Sequence, residues 1–267
     1  MIERTVSAGG KVFLAGEYAV LWGGTARVAA VGPRVFAQVR SREDRRVNLL
    51  SPGSRLWGDA TRSGVRWSEE VPPEFLFAAR AVDLALRAHG KDGPGLSLAL
   101  APSPEARPGL KLGLGSSART AVLAAESARY ALGARFDALK LAMVAHAVAQ
   151  GGKGSGADVA AIFAGGIVRY RRWDGAPPLE AAVRPEFRSA LEAAAAVDLW
   201  RLPDCKLPLA WAFSGESAAT PLMIRELEGK LGPEGRERFV GRSDGFGQQL
   251  ESALVHIGRG DVVAQLR

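Results

Sequence analysis

GGKGSGADVAAIFAGG at residues 151–166, read together with GLGSSAR at residues 113–119, decides how this chain is to be understood. Each stretch is a glycine-rich turn running straight into an alanine-rich, helix-compatible segment. The first turn of a helix carries backbone N–H groups without intrahelical acceptors, at the positive end of the helix dipole, and so forms a ready seat for phosphate. In the second stretch Lys153, Ser155 and Asp158 fall within six residues. A cation, a hydroxyl and a carboxylate beside an anion seat point to phosphoryl transfer, which needs positioning and charge neutralisation more than covalent chemistry.

In the first stretch Gly113 and Gly115 permit positive φ and let the backbone approach a ligand closely. Ser116 and Ser117 sit where the helix starts. A serine there is also an ordinary N-cap, and the same hydroxyls can bond phosphate oxygens or a Mg2+ ion. Neither stretch is a P-loop. That motif needs a glycine five residues before its Gly-Lys pair and a serine or threonine after it. Around Gly152-Lys153 those places hold Ala147 and Gly154, and around Gly10-Lys11 they hold Thr5 and Val12. A dinucleotide fingerprint is weak too, because Gly113-x-Gly115 is followed by Ala118, with no acidic strand end downstream.

Periodicity places these turns in a frame of mixed strands and helices. Strands are expected at 11–20 and 27–40, hairpins or loops over 42–66, and further strands at 96–100, 166–172 and 207–213. Helices are expected at 73–88, ended by Gly90, and at 117–132, 136–150, 158–164, 220–230 and 234–257. The order has no strict βαβ repeat, which favours an α+β fold over a doubly wound sheet. Residues 173–185, with three prolines and a glycine, mark the expected domain boundary, dividing an N-terminal lobe (1–185) from a C-terminal lobe (186–267). Lys11 opens the first strand, where Glu17 and Tyr18 interrupt an apolar run. An inward-pointing Glu17 needs a partner, either Lys11 or a ligand. His146 lies four residues before Gln150, so the two share a helix face.

The 267 residues suffice for one large domain or two smaller ones, and 47% hydrophobic with 24% charged residues is ordinary for a globular protein. One cysteine, Cys205, excludes an intramolecular disulfide and a CxxC metal site, and fits a reducing compartment. No signal peptide or membrane-length apolar run is present, so a cytoplasmic protein without a membrane partner is expected. A net charge of +7, from 35 basic and 28 acidic residues, suits an anionic substrate. It comes with no basic–aromatic array that would indicate nucleic acid.

Four segments in order carry a resemblance: GKVFLAGEYAVLWGG (residues 10–24), KLGLGSSAR (111–119), HAVAQGGKGSGADVAAIFAGG (146–166) and SGESAATPLMI (214–224). Together they resemble the GHMP superfamily of small-molecule kinases, its phosphomevalonate kinase branch in particular. The resemblance implies two α+β lobes with the active site between them, and ATP with Mg2+ as cofactors. The nucleotide phosphates would lie along Lys111, Gly113, Leu114, Gly115, Ser116 and Ser117, with Ser117 also on the metal. Asp158 would be the catalytic carboxylate and Lys11 its charge partner. Glu17, Tyr18, His146, Gln150, Lys153 and Ser155 would line the substrate pocket, with Ser217 and Thr220 reaching it from the second lobe. The implied reaction is phosphorylation of a small isoprenoid-pathway acid, 5-phosphomevalonate to its diphosphate, by a monomer or homodimer.

Three departures stand beside the resemblance. The lysine that usually follows Gln-Gly is displaced by one, with Gly152 in its place and Lys153 next. Arg119 stands where a small residue is usual, to contact phosphate or face solvent. The family's third glycine-rich motif has no counterpart, since SDGFG at 243–247 is not a substitute, and a fragment or a shortened C-terminal lobe is the expectation. Two alternatives follow: a mevalonate kinase or other GHMP kinase, and a non-catalytic member that binds nucleotide or metabolite.

Overall fold

The computed structural model describes residues 2–91, 93–103, 112–177, 179–203 and 220–258. Eight strands form one mixed sheet: β1 (Glu3–Ala15), β2 (Thr25–Ser41), β3 (Arg46–Ser51), β4 (Ser54–Thr61), β5 (Gly64–Trp67), β6 (Leu96–Leu100), β7 (Ile167–Arg171) and β8 (Leu199–Arg201). Six helices accompany them among the described residues: α1 (Leu76–His89), α2 (Ser116–Ala131), α3 (Ala138–Ala149), α4 (Ala157–Ala164), α5 (Phe187–Ala193) and α6 (Thr220–Gly258). Segregated antiparallel strands with helices packed on them make the fold α+β, as the element order predicts.

The sheet runs β5-β4-β3-β6-β2-β7-β8, with β1 added to β2. The 17-residue β2 is its spine. β1 pairs along its whole length, β6 meets its C-terminal end (residues 37–41) and β7 its N-terminal end (residues 25–29). β3 and β6 are parallel and the other pairings antiparallel. β8 extends the sheet beyond β7, so strands on both sides of residue 185 share it.

Alanine shapes the helical layer. Ala78, Ala81 and Ala85 of α1 and Ala118, Ala121, Ala124, Ala125 and Ala128 of α2 are buried. Such small side chains let helices approach closely over the Val47, Leu49, Leu96, Leu98 and Val168 face of the sheet. Beyond the core, α6 is interrupted at Gly232 (φ 60°), ahead of Pro233, as the Gly-Pro pair predicts. Its second half docks on the start of β2. Arg27, 2% exposed, donates from Nε to Glu251 at 2.8 Å, and Asp244 accepts from the Thr25 amide at 2.9 Å. A side chain at Gly247 would overlap the Arg27 guanidinium. SDGFG is therefore helical, and its glycine and aspartate serve this docking. Among the described residues no helix is long and apolar enough to cross a membrane.

Candidate active site

The first glycine turn is a clamped helix start. Gly113 (φ 73°) and Gly115 (φ 79°) are left-handed, and Gly115 caps α2 with no side-chain hydrogen bond, leaving the first-turn amides to face outward. The loop is tied to β1 where the Lys11 amide donates to the Leu114 carbonyl at 3.0 Å. Gly10 must be glycine there, because a Cβ would come within 3.1 Å of that same oxygen. Behind the turn Arg119 neither faces solvent nor offers itself to phosphate. It is 2% exposed, donates from Nε to the Gly9 carbonyl at 3.1 Å and from Nη1 to Ser103 Oγ at 2.8 Å, and so fastens α2 to the sheet. Its position one turn into α2 directs it inward against β1, which no local pattern reveals.

The second turn is built from four left-handed glycines, Gly151, Gly152, Gly154 and Gly156, the last capping α4. Ser155 Oγ accepts from the Ala157 amide at 3.3 Å, and Asp158 Oδ1 accepts from the Val159 amide at 2.9 Å. Asp158 thus sits in the first turn of α4 with its second oxygen on the side of His146. From below, the buried Tyr170 donates its hydroxyl to the Ser155 carbonyl at 2.6 Å and accepts from the Trp173 amide at 3.1 Å. Burial raises the Tyr170 phenol well above its ordinary value, which keeps it a neutral donor.

His146 joins the two turns. Its Nε2 lies 3.1 Å from Ser117 Oγ at the start of α2, 3.3 Å from Gln150 Nε2 on its own helix, and 3.9 Å from Asp158 Oδ2 at the start of α4. The ring is 5% exposed and packs on Phe77, centroids 5.2 Å apart. Burial lowers its pKa, and the nearby Asp158 opposes this only in part, so the imidazole is neutral. Beside it opens a cavity of about 240 Å³ lined by His146, Lys153, Ser155, Tyr170, Arg172 and Trp173 among others. Neither Lys153 nor Arg172 forms an ion pair with another described residue.

Other expected residues lie further out. Lys11 packs its stem against Gly115 and holds Nζ 4.7 Å from the centre of the Phe13 ring, not within ion-pair distance of Asp158. Glu17 is exposed, because β1 ends at Ala15 and a left-handed Gly16 turns the chain, so it is not the inward-pointing strand carboxylate that the apolar run suggests. Tyr18 donates its hydroxyl to Met223 Sδ at 3.7 Å, reaching α6. Lys111, Ser217 and the side chain of Thr220 lie outside the described residues, as do Cys205 and the strand expected at 207–213. Sequence reading missed Phe77 and Arg172. The basic cluster at 169–172 was the only signal for the latter.

Residues 77–166 match the family model of the GHMP kinases N terminal domain. This stretch is a GHMP kinase N-terminal domain. It spans α1 to α4 and holds both glycine turns and His146. The whole chain has the GHMP kinase fold. A Lin0012 protein from Listeria innocua superposes with a TM-score of 0.74 at 22% identity, over 95% of this chain and 73% of that one. The phosphomevalonate kinase of Streptococcus pneumoniae, in complex with phosphomevalonate and AMPPNP, gives 0.70 at 22% identity, over 95% and 74%. L. major mevalonate kinase in complex with R-mevalonate gives 0.57 at 19% identity, over 97% and 70%. Comparison by sequence with curated proteins gives no match.

The GHMP domain's donors fit a metal–nucleotide. The α2 start offers amides without a side-chain cap beside the Ser116 and Ser117 hydroxyls, a set made for phosphate oxygens. Among the described residues no three His, Cys, Asp or Glu side chains gather as a metal cage. One hydroxyl and a nearby carboxylate suit Mg2+, which keeps waters and takes much of its shell from substrate phosphates.

Proposed function

We propose that this chain is an ATP- and Mg2+-dependent phosphotransferase acting on a small anionic acid of isoprenoid metabolism, 5-phosphomevalonate. The observation that carries this reading is the meeting of two glycine-led helix starts at His146, beside a cavity lined by two cations. A seat for phosphate and a carboxylate then lie within one side chain of each other. The cations Lys153 and Arg172 suit an acceptor that already bears a phosphate, and the bound ligands of the pneumococcal neighbour support the same choice.

The bound nucleotide supplies the phosphoryl group and, with its metal, neutralises charge. The chain's residues do the rest. The amides of the α2 start, with Lys111, Gly113, Leu114, Gly115, Ser116 and Ser117, hold the phosphates, and Ser117 Oγ also holds the Mg2+. Asp158 takes the proton carried by the acceptor's phosphate, freeing a phosphate oxygen as the nucleophile toward the γ-phosphoryl group, with ADP as the leaving group. Lys11, whose stem lies along Gly115, adds positive charge at the same loop. Lys153 and Ser155 hold the acceptor's own phosphate, Lys153 serving for the lysine that Gly152 displaces. Gln150, Glu17, Tyr18, Ser217 and Thr220 complete the contacts to the acceptor.

ADP release with ATP and Mg2+, compared for 5-phosphomevalonate, mevalonate and no acceptor, tests this. Turnover with 5-phosphomevalonate alone, abolished by Asp158→Ala, is the expected result. Turnover with mevalonate alone assigns the other acceptor. Binding of ATP without turnover on any acceptor refutes the enzyme reading and leaves a nucleotide-binding protein.

A further inference from the structure

Ser117 can hold a metal well only if its lone pairs, and not its proton, face the nucleotide. A serine hydroxyl rotates freely unless something takes its proton. The arrangement around His146 supplies that acceptor. Gln150 approaches His146 Nε2 through its amide nitrogen, which carries two protons and no lone pair, while its Oε1 faces Gly154. With that nitrogen turned to it, the Nε2 of His146 is an acceptor, its one lone pair shared between the Gln150 N–H at 3.3 Å and the nearer Ser117 hydroxyl, and the ring proton resides on Nδ1. Ser117 Oγ stands 3.1 Å from this acceptor. Asp158 Oδ2, at 3.9 Å, is beyond hydrogen-bond distance and keeps its lone pairs for the acceptor side. The ring has little room to reorient, being 5% exposed and stacked on Phe77.

We infer that His146 is a positioning residue that accepts a hydrogen bond from the Ser117 hydroxyl and thereby turns the Ser117 oxygen toward the metal–nucleotide, acting through Ser117 rather than on the acceptor. This rests on the proposed seating of nucleotide at α2. It adds a part that sequence reading did not provide, since His146 was expected only to line the substrate pocket. It also explains why a buried imidazole sits where the two turns meet: one ring links the loop that holds phosphate to the helix that carries the carboxylate.

Calorimetric titration with Mg2+·AMPPNP and with metal-free AMPPNP tests it on the full chain, for the parent, Ser117→Ala, His146→Leu, the double variant and His146→Gln. Groups that orient a metal ligand typically change metal affinity by about 10- to 100-fold. Expected is a loss of about tenfold for the metal complex in each single variant, and a clearly smaller loss for metal-free AMPPNP. The double variant should lose no more than either single one, because both remove the same interaction. His146→Gln, which keeps an acceptor near the Nε2 position, should recover most of the loss. Losses that multiply in the double variant, an equal loss for metal-free AMPPNP, or no recovery by glutamine would overturn the inference. If the parent binds the complex but phosphorylates nothing, the enzyme reading falls and the titrations still decide the role of His146. If the parent binds no nucleotide, both fall.

Discussion

The turn at Gly113–Gly115 and the turn at Gly151–Gly156 each end in a left-handed glycine that starts a helix without a side-chain cap. Their surroundings differ. The first is clamped from behind by the Lys11 amide and by buried Arg119, whose guanidinium reaches the Gly9 carbonyl and Ser103. The second is held by the Gly152 amide on the Ala147 carbonyl and the Tyr170 hydroxyl on the Ser155 carbonyl, and opens on a cavity with Lys153 at its lip. The same local recipe thus gives a rigid seat in one place and an open one in the other. A preformed seat suits the nucleotide phosphates proposed to bind there. An open turn with an exposed cation suits the proposed acceptor.

The difference can be broken at its chemical end first. Asp158→Asn should lower kcat by about 1,000-fold, in the range for loss of a general base, with an unchanged melting temperature. A fall of less than tenfold would remove Asp158 from the chemistry and leave α4 a plain helix start. Next in size is the clamp. Arg119→Met should cost about 2–3 kcal/mol in urea unfolding, because it deletes charge-assisted hydrogen bonds in a buried site. Unchanged stability would show that the first turn needs no clamp.

The turns themselves come next. Gly156→Ala should cost about 1–2 kcal/mol, from a left-handed φ of 81° and a Cβ only 2.7 Å from Met143 Cε. Gly113→Ala, with φ 73° but open space around the new Cβ, should cost about 1 kcal/mol. Denaturant midpoints in the reverse order would contradict the packing difference. Lys153→Met should raise the acceptor KM about tenfold, equivalent to about 1.4 kcal/mol, and leave the nucleotide KM unchanged. A shift in the nucleotide KM instead would assign Lys153 to the first seat.

The smallest effect is that of pH. Burial lowers the pKa of His146 against the pull of Asp158, and burial with Lys91 and Arg188 lowers that of His89. The unfolded chain then binds protons that the folded chain refuses. The stability these groups contribute is full above about pH 6.5 and is lost as pH falls through their lowered folded values, by at most about 1.4 kcal/mol per pH unit for each. Urea unfolding at pH 7.5 and 5.5 measures it, and His146→Gln should flatten the slope.

Much of this molecule can be read along the chain. The breaks at Gly90 and Gly232-Pro233, the helix starts after Gly115 and Gly156, and the hairpins of β3 to β5 all follow from turn chemistry and apolar spacing. The first half of β1 could not be read so, because TVSAGG lacks the β-branched alternation of a strand. It is a strand because it lies against β2, and Gly9 is there because a Cβ would come 2.7 Å from the Val31 carbonyl. The short α5 and β8 were likewise invisible, since their burial comes from α1 and β7 rather than from their own pattern.

The sequence by itself determined the α+β class, the two glycine turns that start helices and the carboxylate beside one of them. Each depends on residues adjacent in the chain, through the positive φ of glycine and the unpaired amides of a helix start. Only the tertiary structure decided that Arg119 is a clamp, that Arg27 pairs with Glu251 from 224 residues away, and that His146 stands between Ser117 and Asp158. Those assignments depend on which elements meet in space. An arginine or histidine on a helix looks the same in sequence whether solvent, a carbonyl or another side chain will satisfy it.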